Sequence, residues 1–308
     1  MYRALLILPA LAALHAAPLC PSPREVQPGQ TLEELASRYL GDPQYAISIA
    51  LATNARTADG FKYISNLDDL AGIGRVCVPA KSEAKDLRRS WEAYERAVSE
   101  ARLPRASTVS KSLVIIPPDQ PVDVVAWVRQ DQADRLKTGA GGWVNAVPSE
   151  TWVTVEPHLR DFCRTFVHDR KPEEAKLAQR LEQRLGLSPS SGKTNFVRMR
   201  LAQPEANAIF RPCVNPAADH ATCSVGPPSS SAADYQQWFL GQYYSSYGQS
   251  LIGEFPWTAL GYTFDWGQGS AKGRFQRYGE SEFVIRKNAP VEVLDVLTTA
   301  KYCGLNAP

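Results

Sequence analysis

Three groups of residues in this 308-residue chain have types and spacings that could do chemistry. The first is Glu280-Ser281-Glu282, two carboxylates placed just before FVIRKNAPVEVLDV, with Arg198 and Arg200 alternating upstream in FVRMRL. The second is a set of cysteines near histidines: Cys163 with His158 or His168, and His220 with Cys213 or Cys223. Such pairs can make a thiol nucleophile, provided that the sulfur is free. The third is GYTFDWG (261–267), where aromatics interleave with Asp265 and glycines. Such a stretch can stack on sugar rings, and it can equally be core, where each aromatic buries a large area; the core reading is favoured. No GxSxG, HExxH or phosphate-binding loop occurs, which removes the usual support for a serine hydrolase, a zinc peptidase or an NTPase. The histidines are not at zinc-ligand spacing, so no metal and no cofactor is expected.

These groups must be held by elements, and the bulk composition allows them. Hydrophobic residues make up 44% and charged residues 21%, enough to bury a sizeable core. The net charge of +2 is too balanced to make nucleic acid a partner. MYR followed by ALLILPALAAL and HAAP has the pattern of a secretory signal peptide over residues 1–17, too short for a spanning helix. Leu19 before Cys20 is too large for a lipidation site, so the expectation is an exported protein of the periplasm or extracellular space with no lipid anchor and no transmembrane helix. Six cysteines in an exported chain suggest three disulfides. Cys20 and Cys77 bracket the first module and are expected to pair. Cys163, Cys213, Cys223 and Cys303 would then pair among themselves, which competes directly with the thiol-nucleophile reading.

Residues 24–80 read as strand, helix, helix, strand. Arg24–Gln27 can start a strand and Pro28-Gly29 turns the chain. Thr31 stands three residues before Glu34, the spacing of a capping box. Leu32, Leu35, Ala36, Tyr39 and Leu40 then follow at helical spacing. Gly41 stops that helix; Asp42 and Pro43 open a second one, roughly 44–54. Arg75–Val78 closes the module as a strand. On Val26, Pro28, Gly29, Thr31, Leu32, Leu35, Ala36, Tyr39, Gly41, Asp42, Asn54, Asn66, Asp69, Leu70, Gly74, Val76, Val78 and Pro79, this stretch resembles a LysM domain. It differs from the family in a longer loop, ARTADGFKYIS (55–65), and in AGIGRV at the closing turn. The resemblance implies a module, 18–82, that binds N-acetylglucosamine-containing glycan, chiefly peptidoglycan. Carried over by position, its groove would be Gly29, Gln30, Thr31 and Leu32 at the entrance and Asn54, Ala55 and Arg56 at the exit. Gln30, Thr31 and Asn54 also have an ordinary reading as turn and cap residues.

Beyond the module, 83–142 reads as a charged helical connector and a linker. It contains an apolar strand at LVIIPP (113–118), a strand running into a helix over 121–136, and a TGAGG loop. Residues 143–308 read as a disulfide-containing C-terminal domain of unknown activity, with a strand at 151–155, a helix over 173–187, a strand at 194–202 and a helix at 234–248. The whole is expected to be α+β. Within it, Glu280-Ser281-Glu282 resembles the end of ADP-ribosyltransferases, where one glutamate stabilises an oxocarbenium-like centre. Arg198 or Arg200 would stand for that family's upstream Arg strand, whereas its serine strand has no counterpart, Ser229–Ser231 falling in a Pro-rich loop. Three functions are therefore set side by side. One is an envelope glycan binder; another is an envelope enzyme, a hydrolase or transferase working through Glu280, Glu282 or Arg198. The third is a structural or secretion-associated protein that uses the module as a protein interface.

Overall fold

A computed structural model describes residues 20–136, 143–144, 147–205, 207–229, 231–248, 254–267 and 277–305. The leader expected over 1–17 and the TGAGG loop lie outside the described residues. The first module follows the expected order. Strand β1 (Ser22–Glu25) leads to helices α1 (Leu32–Leu40) and α2 (Ala46–Asn54), and β2 (Arg75–Val78) closes it. β1 and β2 are antiparallel, Ser22 opposite Val78. The capping box forms: the Glu34 amide donates to Thr31 Oγ1 at 3.2 Å, and the Thr31 amide to Glu34 Oε2 at 3.4 Å. Gly41 ends α1 at φ +88°, a left-handed position that a side chain would strain. Every residue of α2 is buried, because AISIALATN has no charged face to turn outward. Cys20 and Cys77 are bonded, tying the chain before β1 to β2. Thr31→Ala should lower stability by about 1 kcal/mol, since its hydroxyl satisfies an otherwise unpaired helix N–H; urea denaturation of the intact chain measures this, and no change would mean that water caps the helix as well.

The charged helix expected at the start of 83–142 forms as α3 (Lys81–Ala101), and it is packed on both sides rather than a bare connector. Its stripe of Ala84, Trp91, Tyr94, Ala97, Val98 and Ala101 packs on the module, and the same apolar cluster runs on through Tyr247, Phe264 and Trp266. Tyr94 OH donates to the Glu254 carbonyl at 2.8 Å, and Arg102 Nη2 to the Tyr247 carbonyl at 2.7 Å. The module thus shares one apolar cluster with Tyr247, Phe264 and Trp266 of the larger unit. LVIIPP is no strand: Leu113 and Ile116 donate singly to Ala221 and Ala218, and the two prolines that follow have no N–H to extend a ladder.

The larger unit is an eight-stranded sheet that includes a strand from inside the expected linker. Its strands are β3 (Val122–Val128), β4 (Trp143–Val144), β5 (Thr151–Val155), β6 (Asn195–Leu201), β7 (Ile209–Phe210), β8 (Tyr262–Phe264), β9 (Tyr278–Ile285) and β10 (Val291–Thr298). The order is β4-β10-β6-β3-β5-β9-β7, with β8 beside β9 and all pairings antiparallel. β3 sits in the middle because VDVVAWV is apolar on both faces and is buried on both over Val124–Val128. Residues 286–290 join β9 to β10 although β5, β3 and β6 stand between them, so the sheet curls. One face forms a single cluster, with Val124, Val197, Met199 and Phe283, closed by Ala133 and Leu136 of α4 (Gln130–Leu136). The other face is covered by α5 (His158–Arg170), α6 (Glu174–Arg184), α7 (Ala233–Tyr247) and α8 (Thr299–Cys303). Cys163 of α5 bonds to Cys303 of α8, and Cys213 to Cys223. The fold is α+β as expected. No helix among the described residues is long and apolar enough to cross a membrane.

Candidate functional site

The helix-covered face carries a row of side chains fixed by strand register: Glu282, Thr154, Val125, Arg198 and Asp295 stand opposite one another in turn. Its two ends have different fates. Arg198 is enclosed: it donates to Asp295 Oδ2 at 2.6 Å and to Glu156 Oε1 at 3.1 Å. Glu156 Oε1 also accepts from Arg160 at 2.8 Å and from Tyr302 OH at 3.2 Å. Arg200 is held in two hydrogen bonds by Asp123. Three strand steps, about 14 Å, separate Arg198 from Glu282, so the arginine and glutamates expected to work together do not share a site. Glu280 is also engaged. It accepts from Arg184 Nε at 2.7 Å beside fully buried Asp265, which takes two hydrogen bonds from Arg180 at 2.9 and 2.6 Å.

Glu282 differs from Glu280 in having an unpaired oxygen: its Oε1 is buried without a hydrogen-bond partner. Burial pushes its carboxyl up to about 8, against the opposing pull of the Arg211 charge. At neutral pH the group is therefore mostly protonated, able to donate as well as accept. It lines a cavity of about 390 Å³ between β3, β5 and β9, the loop after α6, the segment 255–264 and Tyr63 of the first module. That volume falls within the usual range of small-molecule sites. The walls are aromatic. Trp152 and Phe255, 36% and 41% exposed, stand where solvent reaches them. Trp152 meets Trp257 edge-on at 6.5 Å. Thr154, Ser191 and Trp257 line the same cavity. Thr154 Oγ1 and Trp257 Nε1, like Glu282 Oε1, are buried and unpaired, whereas Ser191 stands against the Glu182 carboxyl. Thr154, Ser191, Trp257 and Glu282 are each 5–6% exposed. Buried polar atoms nearly always have partners, so three unpaired ones on residues of one cavity give its aromatic walls a polar part.

Most of this wall was not legible in the sequence. Trp152 and Thr154 lie in an ordinary strand pattern, Ser191 in a turn, and Tyr63 in the long loop of the module. In GYTFDWG, Tyr262, Phe264 and Trp266 are buried and Asp265 is ion-paired, so that stretch is core, as favoured, rather than a stacking surface. The thiol-nucleophile reading is overturned, because all six cysteines are in disulfides. His168 and His220 lie exposed beside Asp169 and Asp219. Among the described residues no cluster of histidine, cysteine and carboxylate could hold a metal.

The groove residues inferred from the LysM resemblance divide by burial. Leu32 is fully buried in the module core. Asn54 is turned inward; its Nδ2 donates to the Ile64 carbonyl at 2.9 Å and its Oδ1 accepts from the Ile64 amide at 2.7 Å. Arg56 donates to the Ala52 carbonyl and to Glu83. Gln30 Oε1 accepts from the Gln27 amide, and Thr31 caps α1. A ligand in that groove would therefore meet exposed Gly29, Thr31 and Ala55 rather than the side chains of Leu32, Asn54 or Arg56. By clamping Ile64, Asn54 fixes the end of the long loop, and the loop in turn delivers Tyr63 to the cavity. Gly192, between Ser191 and Lys193, lies against the same exit: a Cβ there would come within 3.0 Å of the Asn54 carbonyl oxygen and of Thr57 Oγ1. Comparison of the chain with family models, with curated proteins and with solved structures returned no match, so the functional reading rests on the site itself.

Proposed function

We propose that this is an exported cell-envelope protein that binds peptidoglycan, or a related glycan containing N-acetylglucosamine, and that a sugar unit is taken up in the cavity where the LysM-like module meets the sheet. The observation that carries this reading is the set of three unpaired polar atoms, on Thr154, Trp257 and Glu282, within aromatic walls. A sugar ring offers apolar C–H faces to tryptophan and hydroxyl or acetamide groups to donors and acceptors at its edge. The three disulfides support an oxidising compartment. The resemblance of residues 24–80 to LysM domains supports the glycan class. The test is sedimentation of the intact chain with purified sacculi. Wild type should pellet, and Thr154→Val and Trp152→Ala should weaken binding roughly tenfold each, about the worth of one good hydrogen bond or stacking face. A wild-type chain that stays in the supernatant overturns the reading.

A second reading has its own support. A carboxyl held protonated near neutral pH on a cavity wall is suited to give its proton to a glycosidic oxygen. A hydrolase or transferase of this kind would release muropeptides from sacculi and lose that activity in Glu282→Gln.

A further inference from the structure

The cavity has a second pole. Arg129 follows β3 and Lys193 precedes β6, and the register of these antiparallel strands, Val128 opposite Asn195, brings the two residues to the same end of the sheet. Both line the cavity on the side where Tyr63 enters. Lys193 Nζ donates to the Trp127 carbonyl at 3.0 Å. The Arg129 guanidinium lies 5.0 Å over the Tyr63 ring, and its Nε is 3.5 Å from Asp131 Oδ1. Two carboxylates face this pair. Asp131 is largely exposed, so its charge is screened by water. Glu182 is buried, which pushes it up to about 7, and it already accepts the Ser191 amide at 2.7 Å. Packing around the Lys193 ammonium and the nearby Arg129 charge lower it to about 8 against the opposing pull of Glu182 and Asp131, so it still carries its proton at neutral pH. Two cations are thus held side by side at one end of a cavity whose other end presents a protonated acid.

We infer that the cavity recognises a carboxylate: a sugar bearing an acidic arm, as N-acetylmuramic acid does, seats that arm between Lys193 and Arg129 while its ring lies toward Trp257 and Glu282. The inference rests on the glycan reading and narrows it to the acidic sugars of the wall. Arg129 supplies a planar set of donors and Lys193 a compact charge, a combination suited to a carboxylate. Neutral N-acetylglucosamine lacks a negative charge to set against them.

Calorimetric titration of the intact chain tests this with four probes: N-acetylglucosamine, N-acetylmuramic acid, the methyl ester of N-acetylmuramic acid, and N-acetylalanine as a sugar-free carboxylate. N-acetylmuramic acid should bind roughly tenfold or more tighter than N-acetylglucosamine and than its own ester. Lys193→Met should erase that preference, bringing N-acetylmuramic acid down to the affinity of its ester in the same variant, and Arg129→Gln provides a second variant should the first fold poorly. If the three sugars bind alike and both variants leave them alike, the inference falls and the glycan reading stands. If N-acetylalanine binds in a Lys193-dependent manner and no sugar does, the carboxylate site stands and the glycan reading falls. Failure of both carboxylates to bind overturns the inference.

Discussion

Glu282→Gln should make the protein more stable at pH 8 and remove most of its loss of stability between pH 5.5 and 8. Burial raises the Glu282 carboxyl from an ordinary 4.5 to about 8. The folded state therefore holds a proton that the unfolded chain has released, and stability falls as pH rises toward 8. Each tenfold drop in proton concentration across this window weakens the folding equilibrium by up to tenfold, so the loss amounts to roughly 3 kcal/mol. For a chain of this size that corresponds to a fall in melting temperature of roughly 5–10 °C. Glutamine keeps the shape and cannot ionise, so the variant retains the smaller loss from Glu182, which has a similar slope but levels off near its own value of about 7. Thermal melts of both proteins at pH 5.5 and 8.0 measure this. A wild type whose melting temperature does not change would mean that Glu282 is ionised throughout, with Arg211 as its counter-charge, and would remove the support for a proton-donating site.

Replacing Cys163 and Cys303 by serine should cost more than replacing Cys213 and Cys223. The first bond spans 140 residues and joins α5 to α8; the second spans 10. Constraint of the unfolded chain grows with the logarithm of loop length, giving about 5 kcal/mol for the long loop and closer to 3 kcal/mol for the short one. Packing does not separate the two pairs: Cys163 and Cys303 are fully buried with Phe196, Leu177, Leu181 and Tyr302, and Cys213 and Cys223 are buried with Leu113, Leu260 and Tyr262, so serine brings hydroxyls into an apolar core in either double variant. Urea denaturation of the two double variants decides it, and a larger loss in Cys213→Ser/Cys223→Ser would show that loop length does not set the effect here.

The sequence by itself determined what neighbouring residues decide. The capping box of Thr31 and Glu34, the stop at Gly41, the closing strand Arg75–Val78 and the periodic helix around Leu177 and Leu181 were all legible, because each depends on a few adjacent backbone groups. The Cys20–Cys77 bond was legible too, since the two residues bracket one compact module. The central place of β3 was not. A strand apolar on both faces reads like any short buried segment, and only its partners β5 and β6 show that it lies at the middle of a sheet.

The site depended almost wholly on tertiary structure. Glu280 and Glu282 are two residues apart on one strand face and are equivalent in the sequence. Arg184, arriving from α6, pairs with the first, and no donor reaches Oε1 of the second. Arg198 was recognisable as an arginine on a strand, but Glu156 and Asp295 claim it. The cavity joins Tyr63, Trp152, Thr154, Ser191, Trp257 and Glu282 from segments far apart in the chain. Local rules govern the hydrogen bonds a backbone makes with its neighbours. Which side chain is left buried without a partner depends on every element that packs around it, and only the folded chain decides that.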